Sequence, residues 1–304
     1  MRRQFFHLEP PKGWMNDPNG LCCFGGRIHV YFQFCPEDAS GEGNRWWGHY
    51  EGEDLLHWKY TGIAMSPDCR WDKDGVYSGS AVAREDVLYL YYTGNVLYDG
   101  DYDYVLDGRE GNTLRGVSTD GRHVLEKDLL LTPSDYPSDC SRHVRDPRVF
   151  IQDGIWHMVL GARTKEGRGI VLRYQSMDGQ NWRYSGRIET KTSFGYMWEC
   201  PDLFSLEGRE YLSFCPQGLE SEEYRYQNVY QSGYAPLKEN EPGPFTEWDM
   251  GFDFYAPQTF VMPDGRRLLI GWMGMGDAEY TNPTVARGWQ HCLTVPRELS
   301  VSET

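Results

Sequence analysis

Short apolar or alternating runs separated by glycine-bearing turns recur along the whole chain, and helical periodicity is scarce. Residues 21–24 and 27–34 flank Gly25-Gly26, and residues 80–83 and 87–93 flank a charged turn at 84–86. Residues 148–151 and 155–161 flank Asp153-Gly154, 203–206 and 209–215 flank Glu207-Gly208, and 259–262 and 266–273 flank Asp264-Gly265. Each pair reads as a β-hairpin. The turns are roughly 55 to 70 residues apart, enough chain for a four-stranded unit. Further small or acidic turns lie between them, at residues 51–58, 118–121 and 176–182, and read as outer hairpins of the same units. Five units of four antiparallel strands predict an all-β, five-bladed β-propeller over residues 1–304, closed radially so that only short, protected edges remain. A two-sheet sandwich gives no reason for five equal repeats.

Polar motifs stand at equivalent places in those units, just before each first hairpin strand: Asn16-Asp17-Pro18, Tyr77-Ser78-Gly79, Arg145-Asp146-Pro147, Glu199-Cys200-Pro201 and Tyr255-Ala256-Pro257. Proline fixes its own φ and restricts the residue before it, so Asp17 is a carboxylate in a stiff frame. Asn19-Gly20 next to it predicts a turn. In a propeller the first strand of every blade lines the central channel, so the five motifs gather at one end of it. Asp17, Asp146 and Glu199 are then brought to face one another.

Composition narrows what such a cluster does. A net charge of −15 without a basic run excludes nucleic acid as partner. No apolar stretch approaches a membrane span, and Met1-Arg2-Arg3 precedes no apolar h-region. The eight cysteines form no Cys-x-x-Cys pair and read as reduced, packed thiols, which places the protein in the cytoplasm. Calcium loops alternate several acids within a short span, whereas these acids come singly from distant units; no His/Cys cluster has zinc spacing. No metal or cofactor is expected. Like charges held close separate their titrations, one carboxyl staying protonated while its neighbour ionises, which is the division of labour that glycoside cleavage requires. Trp14, Trp47, Tyr77, Trp198 and Tyr255 sit beside the motifs as candidate walls for a sugar ring.

At these residues the chain resembles glycoside hydrolase family 32, the β-fructosidases that include invertases, sucrose-6-phosphate hydrolases, inulinases and levanases. Residues 14–20 match the family's Trp-Met-Asn-Asp-Pro-Asn-Gly signature in full, Arg145-Asp146-Pro147 its Arg-Asp-Pro motif, and Glu199-Cys200 its Glu-Cys motif. Gln33, Trp47-Gly48-His49, Ser78-Gly79-Ser80, residues 255–258 and residues 293–299 extend the match over the whole chain. The resemblance implies hydrolysis of a terminal β-D-fructofuranosyl residue from sucrose, sucrose-6-phosphate or fructans with retention of configuration. It implies Asp17 as nucleophile, Glu199 as general acid/base and Asp146 as stabiliser of the transition state through fructose hydroxyls. Asn16, Gln33, Trp47, Ser78, Arg145 and Tyr255 would bind the fructosyl unit.

Two departures touch the leaving-group side: Glu42 stands where many relatives carry an aromatic, and residues 99–112 differ from the pattern of the family's sucrose-6-phosphate hydrolases. The family also carries a β-sandwich after the propeller, and residues 1–304 stop almost where it should begin. The expectation is a self-sufficient or homodimeric propeller whose chemistry survives without that sandwich. The rival readings are an inverting, arabinanase-like propeller hydrolase and a non-catalytic sugar-binding propeller.

Overall fold

A computed structural model describes residues 3–302; Met1 and Arg2 of the basic N-terminus, and the last two residues of the expected domain, lie outside it. The strands form five sheets arranged as successive blades. Blade I holds β1 (Gly13–Phe24), β2 (Arg27–Cys35), β3 (Trp46–Gly52) and β4 (Trp58–Met65). Blade II holds β5 (Val76–Arg84), β6 (Val87–Leu97), β7 (Arg109–Ser118) and β8 (Glu126–Leu131). Blade III holds β9 (Cys140–Gln152), β10 (Ile155–Thr164), β11 (Gly169–Ser176) and β12 (Arg183–Ile188). Blade IV has β13 (Met197–Leu206), β14 (Arg209–Gln217) and β15 (Gly233–Lys238), edged by the short β16 (Glu241–Pro242) and β17 (Thr246–Glu247). Blade V has β18 (Tyr255–Val261) and β19 (Arg267–Met273); after β20 (Trp289–Gln290) come its short outer strands β21 (Cys292–Leu293) and β22 (Arg297–Glu298). Among the described residues the one helical turn is the 3₁₀ segment Val285–Arg287, and none is long and apolar enough to cross a membrane.

The five-bladed propeller read from the hairpins is the fold, and the three minor turns are its outer hairpins, joining β3 to β4, β7 to β8 and β11 to β12. The ring closes where β20 pairs in parallel with β1, the Gly13 N–H donating to Gly288 O at 2.7 Å. The Leu293 N–H, donating to Leu8 O at 2.9 Å, adds a second clasp between the two ends of the described chain. Apolar cores fill the spaces between blades, such as Tyr31, Trp47, Leu88, Leu90 and Tyr92 between blades I and II.

First strands of neighbouring blades meet at the axis without sheet pairing, so side chains satisfy their backbones. Asn19 Oδ1 accepts the Gly79 N–H at 3.1 Å, and Ser80 Oγ donates to Pro147 O at 2.8 Å. The Arg148–Asp202 ion pair, at 2.9 Å, joins blades III and IV, and the buried Asp202 accepts the Thr259 N–H of blade V at 2.7 Å.

Each first strand carries a two-for-one bulge where its polar motif falls. Asn16-Asp17 oppose Gln33, Tyr77-Ser78 oppose Thr93, and Asp146-Pro147 oppose Leu160. Cys200-Pro201 oppose Phe214, and Ala256-Pro257 oppose Gly271. Bulges admit proline, which cannot donate to the ladder, and they re-aim side chains. The motifs therefore lie inside their strands, not ahead of them. Asn19-Gly20 is not a turn either: it continues β1, with Gly20 at φ 54°, where a Cβ would come within 2.8 Å of the Tyr31 ring.

Candidate active site

The bulges turn three acids toward one cleft of about 800 Å³ at the axis. Asp146 has φ 63° and Cys200 φ 47°, left-handed conformations that Asp accepts more readily than Cys. The Asp146 bulge is held by its own N–H, which donates to Thr93 Oγ1 of blade II at 2.9 Å. Blades III and IV approach so closely that a Cβ on Gly161 would lie 2.1 Å from Trp198 O. Gly161 pairs with Arg145, so this approach carries Glu199 against Arg145.

Asp17 Oδ2 accepts from Ser78 Oγ at 2.5 Å and its Oδ1 from Asn16 Nδ2 at 3.2 Å. Gln33 ties the pair together, accepting from Asn16 Nδ2 at 2.9 Å and donating to Ser78 Oγ at 2.8 Å. Glu199 takes three donors: Arg145 Nε at 3.0 Å on Oε1, and Gln217 Nε2 at 2.8 Å and Tyr255 OH at 2.7 Å on Oε2. Cys200 stands between the other two acids. Its N–H donates to Asp146 Oδ2 at 2.9 Å, and its Sγ lies 3.6 Å from Asp146 Oδ2 and 3.7 Å from Asp17 Oδ2.

All three acids, with Asn16, Gln33, Ser78, Arg145 and Tyr255, line this cleft. Trp47 does not. It lies on β3, fully buried between Tyr31 and Tyr92, and its Nε1 donates to Tyr77 O at 3.0 Å. Trp198 is likewise core, its ring 4.4 Å from that of Phe214. The cleft is lined instead by Trp272 and His291, which pack with Trp14 at ring separations of 5.8 and 4.3 Å. Sequence reasoning also missed Gln217, Arg109, His143 and Arg163, which carry no motif of their own. Both departures noted in the sequence reach the cleft: Glu42 lines it, and residues 99–112 supply Val105 and Arg109.

Burial raises Asp17, and the nearby Glu199 charge raises it further, while hydrogen bonds from Ser78 and Asn16 oppose the shift. Burial likewise pushes Asp146 up to about 7, with Glu199 and Asp17 adding to it and Arg145 opposing. The folded-state value of Asp146 exceeds the unfolded one. Its favourable contribution is therefore complete below the unfolded pKa and lost as pH rises through about 7. Asp146→Asn should accordingly raise the melting temperature at pH 8 by about 2 °C or more, the gain shrinking toward pH 5. Melting curves across that range check this; a destabilised variant at pH 8 contradicts it.

A sequence model described as "Glycosyl hydrolases family 32 N-terminal domain" matches residues 7–304. The sucrose-6-phosphate hydrolase of Bacillus subtilis is 45% identical, the match covering 99% of this chain and 63% of that protein. The raffinose invertase of Escherichia coli is 41% identical, over 97% of this chain and 61% of that protein. The chain thus spans less than two thirds of the length of these relatives. Among solved structures, the sucrose-6-phosphate hydrolase from Lactobacillus gasseri superposes with a TM-score of 0.89 at 34% identity, over 99% of this chain and 62% of that one. A Bombyx mori β-fructofuranosidase superposes with a TM-score of 0.87 at 36% identity, over 99% and 64%. With the motifs, the fold and the cleft in agreement, the chain belongs to glycosyl hydrolase family 32.

Proposed function

We propose that this chain is the catalytic propeller of a retaining β-fructosidase, acting on sucrose or a related β-fructoside. The observation that carries the reading is the convergence of Asp17, Asp146 and Glu199 from three blades, each with a different set of partners. Asp17 is positioned by Ser78 and Asn16 as a nucleophile toward the anomeric carbon of the fructosyl unit. Glu199 gives its proton to the leaving oxygen, and Asp17 forms a glycosyl ester. Glu199 then takes a proton from water as that water attacks, and fructose leaves with its configuration retained. Asp146 accepts fructose hydroxyls, and those bonds strengthen as positive charge develops on the ring. Trp14, Trp272 and His291 form an aromatic corner for the apolar face of the sugar. The eight free thiols suit a reducing compartment, and we assign the protein to the cytoplasm on that ground.

The test is product analysis after incubation with sucrose, sucrose-6-phosphate, inulin and levan: released fructose is expected, and a folded protein inert on all four overturns the reading. Ser78 offers a finer check. Asp17 must be ionised to attack, and the Ser78 hydrogen bond lowers its pKa. Ser78→Ala should move the acid limb of the kcat/KM profile to higher pH, by on the order of one unit. An unmoved limb contradicts the role of Ser78.

A further inference from the structure

Blade V contributes none of the three acids, yet its first strand reaches toward both the acid/base and the nucleophile. Tyr255 OH on β18 donates to Glu199 Oε2 at 2.7 Å. Gln258 Nε2, on the same strand, donates at 2.8 Å to Gly79 O of blade II, which is not a neighbour of blade V in the ring. Residues three apart in a regular strand point to opposite faces. The extra residue of the Ala256-Pro257 bulge, with Ala256 at φ 47°, turns both side chains to the axis.

Gly79 is gripped from several sides. Its N–H donates to Asn19 Oδ1 of blade I at 3.1 Å, and its carbonyl accepts from Gln258. A Cβ on Gly79 would lie 1.9 Å from Tyr91 O, so β5 is pressed onto β6 at this point. Asn19 is fully buried and Gln258 is 6% exposed. Among the described residues, Gly79 is the one hydrogen-bond partner of either side-chain amide, and the far ends, Asn19 Nδ2 and Gln258 Oε1, are buried without one. Burying a half-satisfied amide is costly, and an apolar side chain of the same length would fill the place without that cost. What the two amides secure is the position of Gly79.

The Gly79 N–H belongs to the peptide that leaves Ser78, so the grip on Gly79 is a grip on the Ser78 backbone. Ser78 Oγ accepts from Gln33 Nε2 at 2.8 Å, which leaves its one proton for Asp17 Oδ2 at 2.5 Å. That bond lowers Asp17 against the burial and the Glu199 charge that raise it. The other titratable groups facing Asp17 are Asp146 of blade III and the Cys200 thiol of blade IV, and neither hydrogen-bonds to Gln258. Asn19, Gly79 and Gln258 lie outside the lining of the cleft, so they act without touching substrate. We infer that Gln258 is a positioning residue for the nucleophile: through Gly79 it fixes Ser78 against Asp17, and β18 thereby keeps nucleophile and acid/base in register. This rests on the fructosidase reading above.

The test measures the pH profile of kcat/KM on sucrose for the wild type, Gln258→Met, Ser78→Ala and the double variant. Methionine matches glutamine in length and has no donor. Gln258→Met should move the acid limb to higher pH by about half a pH unit and lower the plateau roughly 3- to 30-fold, the loss falling on kcat more than on KM. In the Ser78→Ala background the same substitution should leave the limb in place to within about 0.2 pH units, because the group it acts through is gone. Melting curves show which variants are folded. Should Gln258→Met not fold, Gln258→Asn, which keeps an amide but stops one methylene short of Gly79, carries the same expectations. A limb unmoved in a folded variant, or shifts that simply add in the double variant, overturns the inference and leaves the fructosidase reading standing. A folded wild type inert on sucrose, sucrose-6-phosphate, inulin and levan ends both.

Discussion

Asp17→Asn is expected to lower β-fructoside turnover by on the order of 10⁴-fold or more, because an amide cannot form the glycosyl ester. The replacement is nearly isosteric, and its carbonyl still accepts one of the two hydrogen bonds that Ser78 and Asn16 now give Asp17. The loss is therefore chemical and not a failure to fold. Burial already raises Asp17, so replacing the carboxylate relieves a desolvation cost, and the variant should melt no lower than the wild type at neutral pH. Steady-state assays on sucrose, paired with melting curves, check both halves. Retained turnover in Asp17→Asn would place the nucleophile elsewhere.

Glu199→Gln separates the two halves of the reaction. Its kcat on sucrose should fall about 10²- to 10⁴-fold, since the leaving oxygen no longer receives a proton. A fructoside with an activated leaving group needs no such proton, so the first step survives and the fructosyl-enzyme accumulates because no base remains to activate water. A burst of leaving group followed by a slow steady state is the expected trace. Arg145, Gln217 and Tyr255 all donate to Glu199, and a glutamine in its place retains one acceptor oxygen for them. Equal loss on activated and natural substrates would remove Glu199 from the acid/base role.

The architecture was legible because each blade repeats the same local signal, a hairpin across a glycine-bearing or charged turn, and because five polar motifs stand at one place in that repeat. The bulges that seat those motifs were not. Pro147, Pro201 and Pro257 read as boundaries between elements, whereas each occupies the extra position of a strand that continues through it. Trp47 and Trp198 show the limit of adjacency as a guide. Both neighbour a motif in sequence, yet Trp47 lies on a third strand and Trp198 turns away from Glu199 by strand alternation, so both join the core between blades. Arg109, His143 and Arg163 left no trace in the pattern, because they meet only when blades II and III are placed side by side.

The most direct measurement of the central claim is the configuration of the first fructose released. Followed by NMR at low temperature during the first turnovers of sucrose, before mutarotation mixes the anomers, a double displacement through Asp17 predicts β-fructofuranose as the initial product. Initial release of the α-anomer would mean that water attacks the fructosyl unit directly, and would contradict the assignment of Asp17 as nucleophile.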